Sequence, residues 1–410
     1  MAFGLTKKEL SWVLYDVGNS AFVMLSTALI PVYFASIAEP GSSVVVAWGY
    51  AETVASLILA LLMPVLGSLA DLAGNKKKFL VGFAGTGAVA CAALGIPDQA
   101  LPFLVVYVIS AIMLNGSMVF YDAFLVDATT EDRYDKVSSH GYAWGYIGSC
   151  IPFIACLAVV LGGSNFGIDA ALGMKIAFII TAVWWIAFTI PVAKNVKQLH
   201  GKKHSDHVLR ATLSGLKQTM KSIMRDKRLL FFMLAFFFYI DGVHTVIKMS
   251  TSYGTDLGID STQLVLALLV TQFVAFPSAI AYGNLAKHFG TKRMLKVGVA
   301  AYICIVLFAA FFLKSAAEFW VLAICVGLFQ GGIQALSRSE YGKLIPKERA
   351  NEYYGFFDIF GKYAAVMGTF LVSAFTQLTG NSSFGVLSLA VLFVIGFLFL
   401  RAMPLMLGDS

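Results

Sequence analysis

Long apolar stretches alternate with short polar segments along this 410-residue chain. A helix needs about 20 apolar residues to cross about 30 Å of hydrocarbon, and lipid cannot satisfy unpaired backbone groups, so helices are the expected spanning form. The pattern predicts an all-α polytopic membrane protein whose twelve transmembrane helices form two pseudosymmetric six-helix bundles. The predicted helices cover residues 11–38, 44–71, 78–96, 101–126, 138–161, 171–193, 229–253, 262–286, 293–313, 317–340, 352–377 and 383–403.

A polar stretch divides the twelve segments into six and six. It predicts an N-terminal bundle over residues 1–193, a cytoplasmic linker over 194–228 and a C-terminal bundle over 229–410. In the linker, apolar residues recur at helical spacing with basic residues between them, which favours an amphipathic helix lying on the inner membrane face over a helix that binds a partner protein. These apolar residues are Leu209, Leu213, Leu216, Met220 and Ile223.

A short block occurs twice, at positions 67 and 283, which are 216 residues apart. The block GSLADLAGNKK (67–77) reappears as GNLAKHFGTKR (283–293), with Gly, Leu-Ala, Gly and a basic pair at the same spacing. A basic turn repeated between spanning segments of both halves is typical of a pseudosymmetric transporter. We expect a conformational latch built from Gly67, Asp71, Gly74, Lys76, Gly283, Gly290 and Arg293.

Each type of residue in the block suggests one part of such a latch. Gly67 permits close helix approach, Asp71 can face the positive N-terminus of a helix from the other half, and the lysines can contact lipid headgroups. The second copy has Lys287 in place of the acid. We therefore expect only the first half to form the contact between an acid and a helix terminus.

Composition and charge placement support a membrane protein. Only 13% of the residues are charged, against about 25% in soluble proteins, and the mean hydropathy is +0.79. The net charge of +7 comes from basic residues clustered in alternate loops. This arrangement follows the positive-inside rule, which places both termini in the cytoplasm and makes a nucleic-acid partner unnecessary.

The sequence predicts no cofactor and no metal site. Five cysteines lie in apolar segments without CxxC spacing and are expected to be small buried hydrophobes. His200, His204 and His207 are spaced for one helix face, but Gly201 and the surrounding lysines argue against an ordered zinc or nickel site.

Charged residues inside the spanning segments are the first candidates for chemistry, because each costs about 2.5–3.5 kcal/mol at mid-membrane. Asp16 in the first helix and Asp241 in the seventh occupy matching positions of the two halves. Asp241, His244 and Lys248 share one helix face. An acid in a partly dry cavity can load and release protons near neutrality, so these residues are candidates for proton coupling.

Other polar residues in the segments have a structural alternative. Asp358 and Lys362 are spaced as an internal ion pair. Glu52 is either a cavity or gate residue or an acid that reaches the outer water, and Arg338 is expected to anchor the interface or to pair with a loop acid. The substrate- and ion-coupling candidates are Asp16, Asn19, Glu52, Asp241, His244, Lys248, Gln330, Gln334, Asp358 and Lys362.

The repeated turn resembles the signature loop of the major facilitator superfamily. The resemblance to this superfamily extends over the whole chain. The stretches WVLYDVGNSAF (12–22), GYAWGYIGS (141–149) and GGIQALSRSEYGKLIP (331–346) resemble the vacuole-effluxer-like (autophagy-related) branch. That resemblance implies amino-acid efflux, as associated with the fungal members. The compact chain fits a bacterial member in the inner (plasma) membrane, and a monomer is usual for the superfamily.

These observations predict a secondary transporter that moves an amino acid or related zwitterion by alternating access. Proton coupling is expected, with sodium as the alternative ion. The other functions considered are efflux of organic cations or drugs, which the lack of an arginine in helix 4 disfavours, and a non-transport receptor or scaffold. No HExxH, GxSxG or Walker motif is present, so an enzyme is not expected.

Overall fold

The computed structural model describes residues 2–38, 44–163, 167–202 and 208–403. Within these ranges the regular structure is helical, and a single β-bridge joins Leu72 to Lys202. The α-helices are α1 Lys7–Ala28, α2 Ile30–Ile37, α3 Val44–Ala70, α4 Lys76–Ala93, α5 Ala100–Ala123, α6 Leu125–Ala128, α7 Tyr134–Gly162, α8 Ala170–Asn195, α9 Val208–Arg225, α10 Lys227–Asp256, α11 Ser261–Phe289, α12 Thr291–Phe311, α13 Ala316–Leu344, α14 Ala350–Thr379 and α15 Ser382–Ala402.

Nine helices in the described part of the chain are long and apolar enough to cross a membrane, and α1 with α2 makes a tenth. The predicted single helix 11–38 is in fact this pair, bent by 44°. Pro31 in the first turn of α2 has no N–H and its ring crowds the preceding turn, which explains the break. The remaining two predicted spans are α4, which begins with three lysines, and α14, which carries several charged residues.

The chain divides into two compact units. Unit 1 comprises Met1–Thr130, Trp144–Leu213 and Lys347–Gly355. Unit 2 comprises Glu131–Ala143, Ser214–Pro346 and Phe356–Ser410. The predicted division of the chain at a linker over 194–228 stays a prediction.

Each unit contains one copy of a buried hydrogen bond between a tyrosine and a serine. In unit 1, the Tyr15 hydroxyl on α1 donates to Ser117 Oγ on α5 at 2.6 Å. In unit 2, the hydroxyls of Tyr239 on α10 and Ser337 on α13 are 2.7 Å apart. The first and fourth predicted spans of each half are therefore joined in the same way, which supports the internal repeat.

Glycines permit close contacts between helices in unit 1. A Cβ at Gly148 on α7 would lie 2.6 Å from Val17 Cγ1 on α1, and one at Gly145 would lie 3.0 Å from Ser20 Oγ. Close approach of the two backbones therefore requires small residues at these positions, as expected for helices packing within a membrane.

The predicted linker does contain a helix, α9. Lys217 and Lys221 are exposed on it and Ile223 is buried. His204 and His207 lie outside the described residues, as do the side chains of 208–215. The expectation of five buried cysteines is wrong for Cys304, which is exposed on α12, and for Cys325, which is half-buried on α13.

Candidate functional site

Asp16 is buried in α1 of unit 1 among polar partners. Its Oδ2 accepts a hydrogen bond of 2.9 Å from the Tyr121 hydroxyl on α5. Asn19, one turn further along α1, donates to the Tyr15 carbonyl at 2.9 Å and lies 3.4 Å from Asp16 Oδ1. The structure thus brings the predicted pair Asp16 and Asn19 together on one face of α1.

Asp241 is fully buried in α10 of unit 2. Its Oδ1 accepts hydrogen bonds from the backbone N–H of Gly368 on α14 at 2.9 Å and from Thr245 Oγ1 at 3.3 Å. Its Oδ2 is buried and has no hydrogen-bond partner in the described part of the protein. A buried carboxylate oxygen in this state is costly unless a proton, a cation or a ligand group meets it.

Gly368 allows this close contact between α14 and α10. A Cβ at position 368 would overlap Thr245 Oγ1 and would lie 2.5 Å from Asp241 Oδ1. The glycine is therefore required where the α14 backbone reaches the acid. Sequence reasoning did not identify it, because a lone glycine in an apolar helix gives no signal for a tertiary contact.

Two small cavities lie beside this site in unit 2. Thr245, which donates to Asp241, also lines a cavity of about 30 Å³ with Ser250 and Tyr253. A second cavity of about 50 Å³ shares Ser250 and is lined by further polar residues, namely Thr271, Gln272 and Gln330. Apolar side chains make up most of the lining of both cavities.

The other predicted residues of α10 and α13 differ in how far they are buried. Lys248 is exposed on α10, and its positive charge acts on the Asp241 carboxyl group. His244 is half-buried on the same helix. Gln334 is half-buried one turn after Gln330, to whose carbonyl it donates at 3.3 Å.

Three further candidates lie elsewhere. Glu52 on α3 is exposed and accepts a hydrogen bond from the Tyr107 hydroxyl. Asp358 is half-buried on α14. The side chain of Lys362 lies outside the described part of the chain, so the predicted Asp358–Lys362 ion pair stays a prediction.

The first repeated turn holds the start of α14 within unit 1. Asp71 follows the end of α3, and its Oδ1 accepts hydrogen bonds from the backbone and side-chain nitrogens of Asn351 at 2.9 and 2.8 Å. Its Oδ2 accepts from the Glu352 N–H at 3.0 Å. A Cβ at Gly67 would lie 2.6 Å from the Asn351 carbonyl oxygen, so this glycine permits the contact. This is the acid at a helix N-terminus that the motif predicted.

Burial raises the pKa of Asp71 from its ordinary 3.8 to about 6. The positive charge of Lys76 and the hydrogen bonds from Asn351 and Glu352 act in the opposite direction, but they do not offset the loss of water around the carboxylate. The pKa of Asp71 therefore lies well above that of an exposed aspartate.

The expectation that the lysines of the turn contact headgroups is wrong for Lys76. Lys76 and Asp127 are both fully buried, and their Nζ and Oδ2 atoms are 2.6 Å apart. Lys76 Nζ also donates to the Ala123 carbonyl at 3.2 Å and lies 5.3 Å from the ring centre of Phe124. The first lysine of the basic run thus packs inside unit 1 as half of an ion pair.

The second repeated turn makes a related contact in unit 2, but here the acid lies on the neighbouring helix α7 and not in the turn itself. A Cβ at Gly283 would lie 2.6 Å from Ser139 Oγ at the start of α7. Asp135, also near the start of α7, accepts from Thr291 Oγ1 and binds Lys343 Nζ, both at 2.7 Å. Lys287, which replaces the acid of the first copy, is exposed.

The second glycine of each copy has the same conformation. Gly74 has φ of +82° and Gly290 has φ of +83°, both in the left-handed region that favours glycine. Arg293, which ends the second copy, is exposed on α12. The two turns are thus alike in backbone and differ in their charged contacts.

Arg338 is buried rather than at an interface. Its Nε donates to Ser138 Oγ at 2.9 Å and its Nη2 donates to the Ser138 carbonyl at 3.0 Å. Its guanidinium carbon also lies 4.3 Å from the ring centre of Tyr142. Arg338 therefore does not anchor the membrane interface, and the other expected role, pairing with a loop acid, stays a prediction.

Comparison with known proteins identifies the family. A model described as "vacuole effluxer Atg22 like" matches residues 41–128 and 126–408. The MFS-type transporter YxiO of Bacillus subtilis (strain 168) is 47% identical over 408 residues, which cover 97% of this chain and 95% of that protein. The chain belongs to the vacuole effluxer Atg22-like family. The Atg22-like chain is thus also a member of the major facilitator superfamily, as its motifs predicted.

Fungal relatives of the Atg22-like chain are more distant. Autophagy-related protein 22 of Cryptococcus neoformans var. neoformans serotype D (strain B-3501A) is 28% identical over 283 residues. The match covers 63% of this chain and 51% of that protein, so it spans about half the length of the fungal relative.

Solved transporter structures confirm the twelve-helix major facilitator fold of the Atg22-like chain. FucP in the outward conformation matches with a TM-score of 0.74 and 14% identity, over 97% of this chain and 98% of that one. The proton:xylose symporter XylE matches with a TM-score of 0.72 and 11% identity, over 97% and 94%. At these identities the likeness shows the fold alone.

Sequence reasoning missed several charged residues that carry the turn contacts of the Atg22-like chain. Asp127, Asp135 and Glu352 lie just outside or at the ends of apolar segments, where acids are ordinarily solvated. Their only sequence signal is proximity to a basic run in the same loop region. Identifying their partners required the tertiary structure.

Proposed function

We propose that this protein is a secondary transporter that moves a small polar solute across the membrane by alternating access, with an amino acid or related zwitterion as its substrate. Membership of the vacuole effluxer family supports transport. The observation that carries the proposal is Asp241, a fully buried acid whose Oδ2 has no hydrogen-bond partner in the described residues.

The surroundings of Asp241 supply the features that a zwitterion needs. An unbonded carboxylate oxygen can receive an ammonium group or a proton, and the charge of Lys248 on the same helix can attract a carboxylate. The adjoining cavities are lined mainly by apolar side chains, with Gln272 and Gln330 among the lining residues of the second.

Asp16 is the matching acid of the first half in this proposal. It is buried like Asp241 and is held by a tyrosine hydroxyl. We propose that one or both acids couple transport to the proton gradient, with sodium as the alternative ion. The two repeated turns act as latches that form in one state and break in the other, because their contacts join segments distant in the chain.

The substrate class is tested first by thermal-shift measurements on the detergent-solubilised protein, with amino acids, small peptides, nucleosides, sugars and cationic drugs. A ligand at about 100 times its Kd adds roughly 2.7 kcal/mol to the unfolding free energy. Stabilisation confined to zwitterions supports the proposal. Stabilisation by cations alone would contradict it and would favour drug efflux.

Coupling is tested in proteoliposomes with a radiolabelled amino acid from that screen, with and without a pH gradient. We expect Asp241→Asn and Asp16→Asn to abolish gradient-driven uptake while leaving the protein folded. Asp98→Asn is the control, because Asp98 lies exposed in a loop and pairs with Lys175. Wild-type uptake by both site variants would exclude these acids from coupling.

A further inference from the structure

Residues 196–202, which are the described part of the segment between α8 and α9, make a series of specific contacts within unit 1; we call them the strap. The backbone N–H groups of Leu199 and His200 donate to Asp127 Oδ1 at 2.8 and 2.9 Å. His200 Nδ1 lies 3.0 Å from the same oxygen. The acid that neutralises Lys76 through its Oδ2 therefore also fixes the strap through its Oδ1.

The strap also pairs with the turn that carries Asp71. The Lys202 N–H donates to the Asp71 carbonyl at 2.7 Å, and the Ala73 N–H donates to the Lys202 carbonyl at 3.1 Å. The Gln198 side chain accepts from the Lys76 N–H at 3.2 Å and donates toward the Asp71 carbonyl at 3.4 Å. These bonds occupy backbone groups that the turn after α3 leaves without helical partners.

Lys202 connects the strap to the start of α14. Its Nζ lies 2.5 Å from Glu352 Oε2 and 3.4 Å from Ser68 Oγ. The Glu352 carboxylate is fully buried and also binds Arg349, and the Glu352 N–H donates to Asp71. The strap and Asp71 therefore hold the same residue of α14, one through its side chain and the other through its backbone.

We propose that the strap is part of the latch that the first repeated turn makes with the start of α14. Lys202 and His200 are positioning residues for this latch. The strap, the turn of Asp71 and the first turn of α14 open and close as one unit. The buried Glu352 carboxylate has two cationic partners, Lys202 and Arg349, so withdrawing Lys202 removes one of them and weakens the hold of the strap on α14. The inference rests on the proposed latch role of Asp71.

Gly201 provides a site at which the strap can be displaced selectively. A Cβ at this position would lie 2.7 Å from Gln198 Nε2 and 2.9 Å from the Asp71 carbonyl oxygen. Because the second neighbour is backbone, an alanine here moves either the strap or the turn. Gly82 on α4 is the matched control, since a Cβ there meets nothing within 4 Å.

Hydrogen–deuterium exchange on the full-length protein in lipid nanodiscs tests the proposal without any transport assay. Three regions are compared, residues 70–76, 196–202 and 349–356, each by its peptides. We expect Gly201→Ala to speed exchange in all three regions about tenfold, and Gly82→Ala to change none of them. Lys202→Met should have the same effect as Gly201→Ala, and Lys202→Arg should restore protection.

The outcomes separate the proposal from its alternatives. If the strap exchanges faster in Gly201→Ala while residues 349–356 stay protected, the strap is an independent tether and the proposal is wrong. If Gly201→Ala loses protection throughout α10–α13 as well, the variant is misfolded. The proposal is then tested by comparing exchange in Lys202→Met and Lys202→Arg. Equal protection in Lys202→Met and the wild type would then overturn the proposal. A failure of amino-acid transport would affect none of these readings.

Discussion

The buried ion pair of Lys76 and Asp127 gives a quantitative test of how unit 1 is held together. We consider Lys76→Met and Asp127→Asn, singly and together. Each single change leaves one charge in a site from which water is excluded, because both side chains are fully buried. Asn at position 127 keeps an oxygen that can accept the strap N–H groups, so the change removes mainly the charge.

The structure sets the expected magnitudes. Breaking a fully buried pair by removing one partner costs about 3–5 kcal/mol, much of it the burial of the remaining charge. In the double variant neither charge of the pair remains, and the lost contacts are the hydrogen bond from Lys76 to Ala123, the cation–π contact with Phe124 and the attraction between Lys76 and the Asp71 carboxyl group. We therefore expect the double variant to be more stable than either single one by at least about 1 kcal/mol.

The assay is equilibrium unfolding in mixed detergent micelles at neutral pH, followed by tryptophan fluorescence. The chain supplies its own control in Lys175 and Asp98, which are 3.2 Å apart but have side chains 35% and 79% exposed. Lys175→Met and Asp98→Asn should each change the unfolding free energy by less than about 1 kcal/mol, because solvent screens the pair.

Two results would refute this reasoning. A cost for Lys76→Met no larger than that for Lys175→Met would mean that water reaches the buried pair. Additive losses in the double variant would mean that the two side chains are not energetically coupled.

Two further predictions concern Asp71 and Gly368. Folding raises the pKa of Asp71 from 3.8 to about 6, so between these pH values the folded protein holds a proton that the unfolded chain has released. The Asp71 site is therefore most stable at acid pH. Relative to Asp71→Asn, the wild type should lose up to roughly 3 kcal/mol of unfolding free energy as the pH rises from about 4 to above 6. The same pH dependence of the unfolding free energy in both proteins would contradict the raised pKa of Asp71. Gly368→Ala should destabilise the protein by about 1–3 kcal/mol, because the new methyl group meets Asp241 and Thr245. Gly361→Ala on the same helix, whose Cβ would meet only Phe236 at 3.5 Å, should be tolerated, and an equal loss in both variants would point to a general effect on α14.

The sequence predicts the helices of this protein well because the need to bury apolar segments in lipid leaves a strong local signal. The same reasoning identifies Asp16 and Asp241, since an acid within an apolar run stands out. The motif also predicts that Asp71 faces a helix N-terminus, although only the structure identifies that helix as α14. Its chemistry is local to a short turn, and its partner is a helix terminus rather than a particular side chain.

The charged partners of the turns could not be predicted in this way. Lys76 belongs to a basic run that the positive-inside rule assigns to a solvated loop, yet it is buried against Asp127. The pairing of Lys202 with Glu352 joins residues 150 positions apart. Such contacts depend on how the ends of several helices come together, which hydrophobic periodicity does not encode.

The inclusion of Lys347–Gly355 in unit 1 has a consequence for biogenesis. During synthesis, Asp71 is made long before Asn351 and Glu352, the residues whose N–H groups it receives in the finished protein. The early half of the chain therefore waits in the membrane with this acid unmatched until the last helices are inserted. A fragment that stops before residue 347 should be degraded faster in cells than the full chain, and supplying the later fragment in trans should protect it.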